Sequence, residues 1–176
     1  TVLSHLREGA PAAVLHRDAA STADGLEADC RGDGEAWMEL ARQWDRYGEA
    51  LLHAMLVPFP PVRAGVRLAV AARADVGELA WRTVVPVRGL AERSFRGDLA
   101  PLLLAGNALH ADVSPEAAPS GLLGWMLTSL AQTVGYPVPV GGAGRIVDAL
   151  LVRLEAAGGR VRTGCAVERV IVRGGR

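Results

Sequence analysis

Histidine and cysteine are the side chains here best suited to proton transfer, nucleophilic attack or metal binding, and their spacing argues against most of that chemistry. His5, His16, His53 and His110 are scattered, and Cys30 and Cys165 form no C-x-x-C pair. Neither a metal site nor a disulfide framework is therefore expected. His53 falls inside a helical pattern and reads as a partly buried surface residue. His110 ends an apolar run and opens a polar loop containing Asp112. There it could carry a proton or interact favourably with a helix C-terminus, and the sequence leaves both readings open. Ser120 lacks the G-x-S-x-G frame of a hydrolase elbow.

The cluster Gly141-Gly142-Ala143-Gly144 opens an apolar helical pattern, and exposed amides at a helix N-terminus attract phosphate. Its spacing weighs against that use. A dinucleotide fingerprint needs a small third residue where this chain has Val147, and it follows a strand that Pro137 and Pro139 would spoil. No G-x-x-x-x-G-K-[ST] segment occurs. Close backbone approach to a flat or bulky group is the better reading, since glycine permits it. Trp37, Trp44, Trp81 and Trp125 recur at helical spacing and read as core. Trp125 stands apart because Tyr136 and the glycine loop follow it closely.

The elements that would hold these residues are mainly helical. Val2–Leu6 and Ala12–His16 read as a strand pair around the turn signal Glu8-Gly9-Ala10-Pro11. Asp18 would cap a short helix through Glu27, with Gly25 and Cys30-Arg31-Gly32 breaking the pattern. Asp33 would cap a long amphipathic helix, whose buried stripe is Trp37, Leu40, Ala41, Trp44, Leu51, Leu52 and Met55. Pro58, Pro60 and Pro61 end it. Residues 62–95 suggest two or three short helices broken at Asp75 and Pro86. Asp98 would cap Leu99–Leu109, and a loop over His110–Pro119 leads to a helix from Ser120 to about Val134. That last helix is apolar nearly all round, which implies a partner domain or a ligand cavity. A helix with the buried face Ile146, Val147, Leu150, Leu151 and Leu154 follows the glycine loop. Gly158-Gly159 stops it, and Val161–Thr163 and Val167–Val172 read as strands.

Composition narrows the function class. Half of the 176 residues are apolar before 21 glycines are counted, an excess over ordinary soluble domains that hints at surface covered by another domain or an apolar ligand. All 19 basic residues are arginine and 19 acidic residues balance them. Alanine, glycine and arginine abundance without lysine reflects coding bias. No basic stripe with interleaved aromatics is present, so nucleic acid is not an expected partner. No apolar run reaches the length of a membrane span, while contact with a membrane surface stays open. Reduced thiols fit a cytoplasmic location. The start at Thr1, without methionine or leader, suits a partial chain.

From Leu104 onward the residues become recognisable. Leu104-Ala105-Gly106-Asn107-Ala108-Leu109-His110, Ser114-Pro115-Glu116 and Gly121-Leu122-Leu123-Gly124-Trp125 closely resemble the middle of the phytoene dehydrogenase-like flavoproteins, within the wider amine-oxidase-like group. Gln132-Thr133-Val134-Gly135-Tyr136-Pro137-Val138-Pro139-Val140-Gly141-Gly142-Ala143-Gly144 continues the likeness. The combined Y-P-x-P-x-G-G-x-G, helix, G-G and strand block is its most specific element. The likeness is strong over residues 104–176 and weak over 1–100.

The resemblance implies an α+β chain in two parts. Residues 1–136 would be a largely helical substrate domain with the N-terminal strand pair. Residues 137–176 would be the returning helix-and-strand segment of an FAD-binding domain. It further implies hydride transfer from an apolar substrate to FAD, with NAD(P) unsupported by these residues. Trp125, Tyr136, Gly141, Gly142 and His110 are the expected cavity lining. Thr163-Gly164-Cys165-Ala166-Val167 looks like the segment in which the Val167 backbone pairs with adenine, and Val167 can equally be a strand core residue. No catalytic residue emerges. The glycine-rich fingerprint, its ribose-binding acid and the closing flavin segment are absent from these residues, so the expected partners include the N- and C-terminal parts of the same enzyme. The alternative expectation is a non-catalytic helical module derived from such an enzyme.

Overall fold

The computed structural model describes residues 3–7, 9–172 and 174, with residues 3–7 and 10 described at the level of the backbone. Val2 and Glu8 of the expected strand pair, and Arg173, Gly175 and Arg176, lie outside the described residues. The chain is mostly helical and divides into two compact units, Thr1–Tyr136 and Pro137–Arg176.

The first unit opens with a hairpin. Strand β1 (Leu3–Arg7) pairs antiparallel with β2 (Ala10–Leu15), Leu3 opposite Leu15, with an irregularity between His5 and Arg7. Gly9 makes the turn at φ 70°. Two strands alone are marginal, and here Ala13 and Leu15 are fully buried in the helical core. Helix α1 (Ala19–Asp29) begins as expected, with the Asp18 carboxylate accepting from the Ser21 amide at 2.8 Å. It runs through Gly25 rather than breaking there.

Helix α2 (Asp33–Leu56) buries Trp37, Leu40, Trp44, Tyr47 and Leu51, a stripe at three- and four-residue steps. Its N-cap is Gly32 at φ 97°, not Asp33. Asp33 turns inward to 3% exposure, where its carboxylate oxygens accept from the amides of Arg96 and Gly97, each at 2.9 Å. Two otherwise orphaned loop amides outweigh one capping bond. Met55, placed in the buried stripe by periodicity, is 48% exposed because the stripe runs out of core there.

Next come α3 (Val62–Ala72), one 3-10 turn (Arg73–Asp75), α4 (Val76–Arg82), α5 (Val87–Ser94), α6 (Leu99–Leu109) and α7 (Ser120–Thr133). Asp98 precedes α6 without a side-chain capping bond. The apolar α7 is buried by neighbours within its own unit, chiefly α6, α5 and α2. Neither a partner domain nor a cavity is needed to explain its composition. Its glycines explain the fit: a Cβ at Gly121 would lie 2.7 Å from the Val85 carbonyl oxygen, and one at Gly124 would lie 2.8 Å from that of Leu104. Backbones therefore meet where Gly121 and Gly124 stand. Ser120, fully buried, accepts the Val87 amide at 2.8 Å and so caps α5 from a distance.

In the second unit, α8 (Gly144–Ala156) ends in a paired C-terminal cap. The Gly159 amide donates to Leu154 and the Gly158 amide to Glu155, both at 2.9 Å, with Gly158 at φ 78°. The face expected to be buried is open: Ile146, Val147, Leu150 and Leu154 are 54, 56, 60 and 41% exposed. The expected strands at Val161–Thr163 and Val167–Val172 are not formed among the described residues. A strand exists only through a ladder to a neighbour, and residues 160–172 make no backbone hydrogen bond among the described residues.

Candidate functional site

Tyr136, Asn107 and His110 come together at the C-terminal end of α6. Gly135, at φ 81°, ends α7 and reverses the chain toward α6. Arg17 supports this turn by donating to the Thr133 carbonyl at 2.8 Å. The Tyr136 hydroxyl then donates to Asn107 Oδ1 at 2.6 Å. Asn107 is fully buried and fixed by its own amide, which donates to the Leu103 carbonyl at 2.8 Å. Its orientation is thereby set, with oxygen toward the phenol.

Partial burial pushes the Tyr136 phenol above its usual pKa, and the Asn107 side-chain carbonyl accepts its hydrogen bond. The hydroxyl is thus a neutral acceptor at its outer side, and about half of the residue is open to solvent. The His110 ring lies 6.3 Å from the Tyr136 ring, tilted by 43°. His110 is the exposed C-cap of α6, its amide donating to the Asn107 carbonyl at 3.1 Å. The pair can present an aromatic edge, a hydroxyl acceptor and an imidazole to a ligand, with no proton relay joining them.

Trp125 lies elsewhere, in the packed core. It is 1% exposed, its indole N–H donates to the Leu40 carbonyl at 3.2 Å, and the Trp44 ring meets it edge-on at 5.6 Å. The void at this site is only about 10 Å³, about the room for one water. Arg82, which sequence reading passed over, is buried against Trp125, Gln43 and Tyr47. Nothing local signals this, because α4 is short and its inward face is set by packing against distant parts of the chain, α7 among them.

In the second unit, Gly141 and Gly142 have φ of 89° and 88°, a region that side chains with a Cβ avoid. A Cβ at Gly141 would lie 2.9 Å from Arg145 Nε, while one at Gly142 meets nothing within 4 Å. The first-turn amides of Arg145 and Ile146 are taken by the carbonyls of Gly142 and Ala143. These two amides are not free to hold phosphate. Val167 is 79% exposed, and its backbone amide and carbonyl make no backbone hydrogen bond among the described residues.

A further hollow of about 510 Å³ in the first unit is floored by Val87, Phe95 and Leu102, with Arg88 and Arg96 among its polar lining. Arg88 is occupied by Glu116 at 2.5 Å. No expected site residue lines this hollow. Among the described residues no group of three or more His, Cys, Asp or Glu could hold a metal ion, and no helix is long and apolar enough to cross a membrane. Set against protein-family models, curated proteins and solved structures, the chain finds no match in any of the three.

Proposed function

We propose that this chain is part of an FAD-dependent oxidoreductase of the dehydrogenase or desaturase type, similar to the phytoene dehydrogenase-like flavoproteins. The carrying observation is the second unit. A capped amphipathic helix with its apolar face open, followed by a segment outside helix and strand whose backbone makes no backbone hydrogen bond among the described residues, has the character of a piece of a larger sheet domain.

The residues present fit one portion of a flavin site. The free amide and carbonyl of Val167 match the adjacent donor and acceptor on adenine, and the side chain points to no competing role at 79% exposure. Phosphate contacts would come mainly from chain outside these residues, since the Arg145 and Ile146 amides in the first turn of α8 already have carbonyl partners. When bound, the flavin supplies the hydride acceptor. The chain's own contribution would be orientation: the positive-φ backbone at Gly141 and Gly142 allows close approach of a flat ring, and Tyr136 with His110 offers polar contacts to an apolar substrate.

A second reading is a helical binding module derived from such an enzyme. The first unit favours it, since its interior is packed and the void beside Trp125 is about 10 Å³. The coding sequence upstream of Thr1 separates the two. An in-frame strand, G-x-G-x-x-G, helix and acidic residue supports the enzyme, whereas a start codon immediately upstream supports the module.

A further inference from the structure

Acidic and basic residues balance over the whole sequence, yet no acidic side chain stands between Glu49 and Asp75. That interval holds Arg63, Arg67 and Arg73. It also holds an unusual run of open apolar side chains: Leu56 is 83% exposed, Phe59 92%, Val62 68%, Val66 60% and Val70 67%. The three valines recur every fourth residue and so share one face of α3. Ala64 and Leu68, which turn toward the interior, lie on the opposite face. Single exposed valines are ordinary, but an apolar helix face continued by Leu56 and Phe59 is not.

A second observation gives this face its chemistry. An open hollow of about 540 Å³ beside it is lined by Arg46, Val66, Arg67, Val70, Ala71 and Arg73. Arg46 is committed to Asp75. The side chains of Arg67 and Arg73 make no hydrogen bond or ion pair among the described residues. Two free guanidiniums and two valines thus share one hollow.

We propose that the Leu56–Arg73 face docks on the surface of an anionic phospholipid bilayer. The apolar side chains enter the interface, and Arg67 and Arg73 meet lipid phosphates. An amphipathic helix with an apolar face and arginine beside it binds in this way. A second copy would set these arginines against their own kind, and a purely apolar partner would leave them uncompensated. The inner side of α3 is already packed on the core, so docking need not fold the helix first. This inference does not rest on the flavin reading.

Co-sedimentation of the 176-residue chain with lipid vesicles tests it. The chain should pellet with vesicles of phosphatidylcholine and phosphatidylglycerol, stay in solution with phosphatidylcholine alone, and be released by salt. Arg67→Gln with Arg73→Gln should weaken partitioning by about 25-fold, at about fivefold per charge. Val66→Ser with Val70→Ser should weaken it by about tenfold or more. Val147→Ser with Leu150→Ser, on the open face of α8, should leave it unchanged. Absence of binding, equal binding to neutral vesicles, or loss only in the α8 variant overturns the proposal. So does a dimer in sedimentation velocity that the Val66 and Val70 changes dissociate, which would make a second copy the occupant.

Discussion

The guanidinium of Arg82 lies over the Trp125 ring, 4.6 Å from its centroid, with the two residues only 2% and 1% exposed. Gln43 Oε1 accepts from the same guanidinium at 2.5 Å and the Tyr47 hydroxyl at 3.4 Å, while Glu78 is 3.6 Å away. Desolvation lowers the Arg82 pKa from its ordinary value, though a guanidinium stays charged. One cation therefore ties α2, α4 and α7 together, with Nε left unpartnered among the described residues.

Replacing Arg82 with Met should cost about 1–3 kcal/mol, because Gln43 and Tyr47 each lose a buried partner. Lysine should not restore the loss, since an ammonium cannot lie flat on an indole while forking toward Gln43. Urea denaturation of the three proteins measures this. A more stable Arg82→Met protein would mean that the desolvation cost of the cation outweighs its contacts.

Gly124→Ala should destabilise the first unit by about 1–3 kcal/mol through overpacking, despite alanine's better helix propensity. The new Cβ would stand 2.8 Å from the Leu104 carbonyl oxygen and 3.0 Å from Val87 Cγ2, so α7 must move. Gly65→Ala, a helical position with nothing within 4 Å, is the control and should stabilise slightly. Thermal melts of both variants decide whether space or propensity governs.

At Gly142 the constraint is conformational. A Cβ there meets nothing within 4 Å, yet φ is 88°, which costs an ordinary L-residue about 1–2 kcal/mol. Gly142→Val should therefore open the first turn of α8 and speed amide exchange at Arg145 and Ile146 by roughly tenfold. Gly142→Asn should exchange nearly as the parent does, because asparagine tolerates positive φ. Equal exchange in Val and Asn variants would remove the backbone explanation.

Asp18 gives a pH dependence. Its hydrogen bonds with the Ser21 hydroxyl and amide hold its pKa below the ordinary 3.8. The stabilisation is then fully present above that ordinary value and is lost as pH falls through the lower folded value. The melting-temperature gap between the parent and Asp18→Ala should be widest near neutrality and close in strong acid. A gap that widens on acidification would reverse the sign and contradict the capping role.

Helix placement was legible because its signals are local. The proline cluster after Leu56, Asp18 at its cap, the α6 limits at Leu99 and Leu109, and the Gly158-Gly159 stop all act within a turn or two of chain. Side-chain destinations were less legible because they depend on distant neighbours. Asp33 resembles a cap, yet it serves amides some sixty positions on. Trp125 and Tyr136 are close in sequence, but α7 carries Trp125 toward α2 while Gly135 turns Tyr136 onto α6. The apolar stripe of α8 and the valines after it were correctly seen as apolar. Their burial and strand pairing were not, because both require partners that this sequence pattern cannot specify.

The flavin proposal is tested most directly by the visible absorption spectrum of the protein expressed from its whole reading frame. The account predicts a yellow protein holding about one FAD per chain, bleached anaerobically by an apolar substrate such as a polyene or an amine, while residues 1–176 alone purify colourless. A colourless full-length product that takes up no FAD would contradict it.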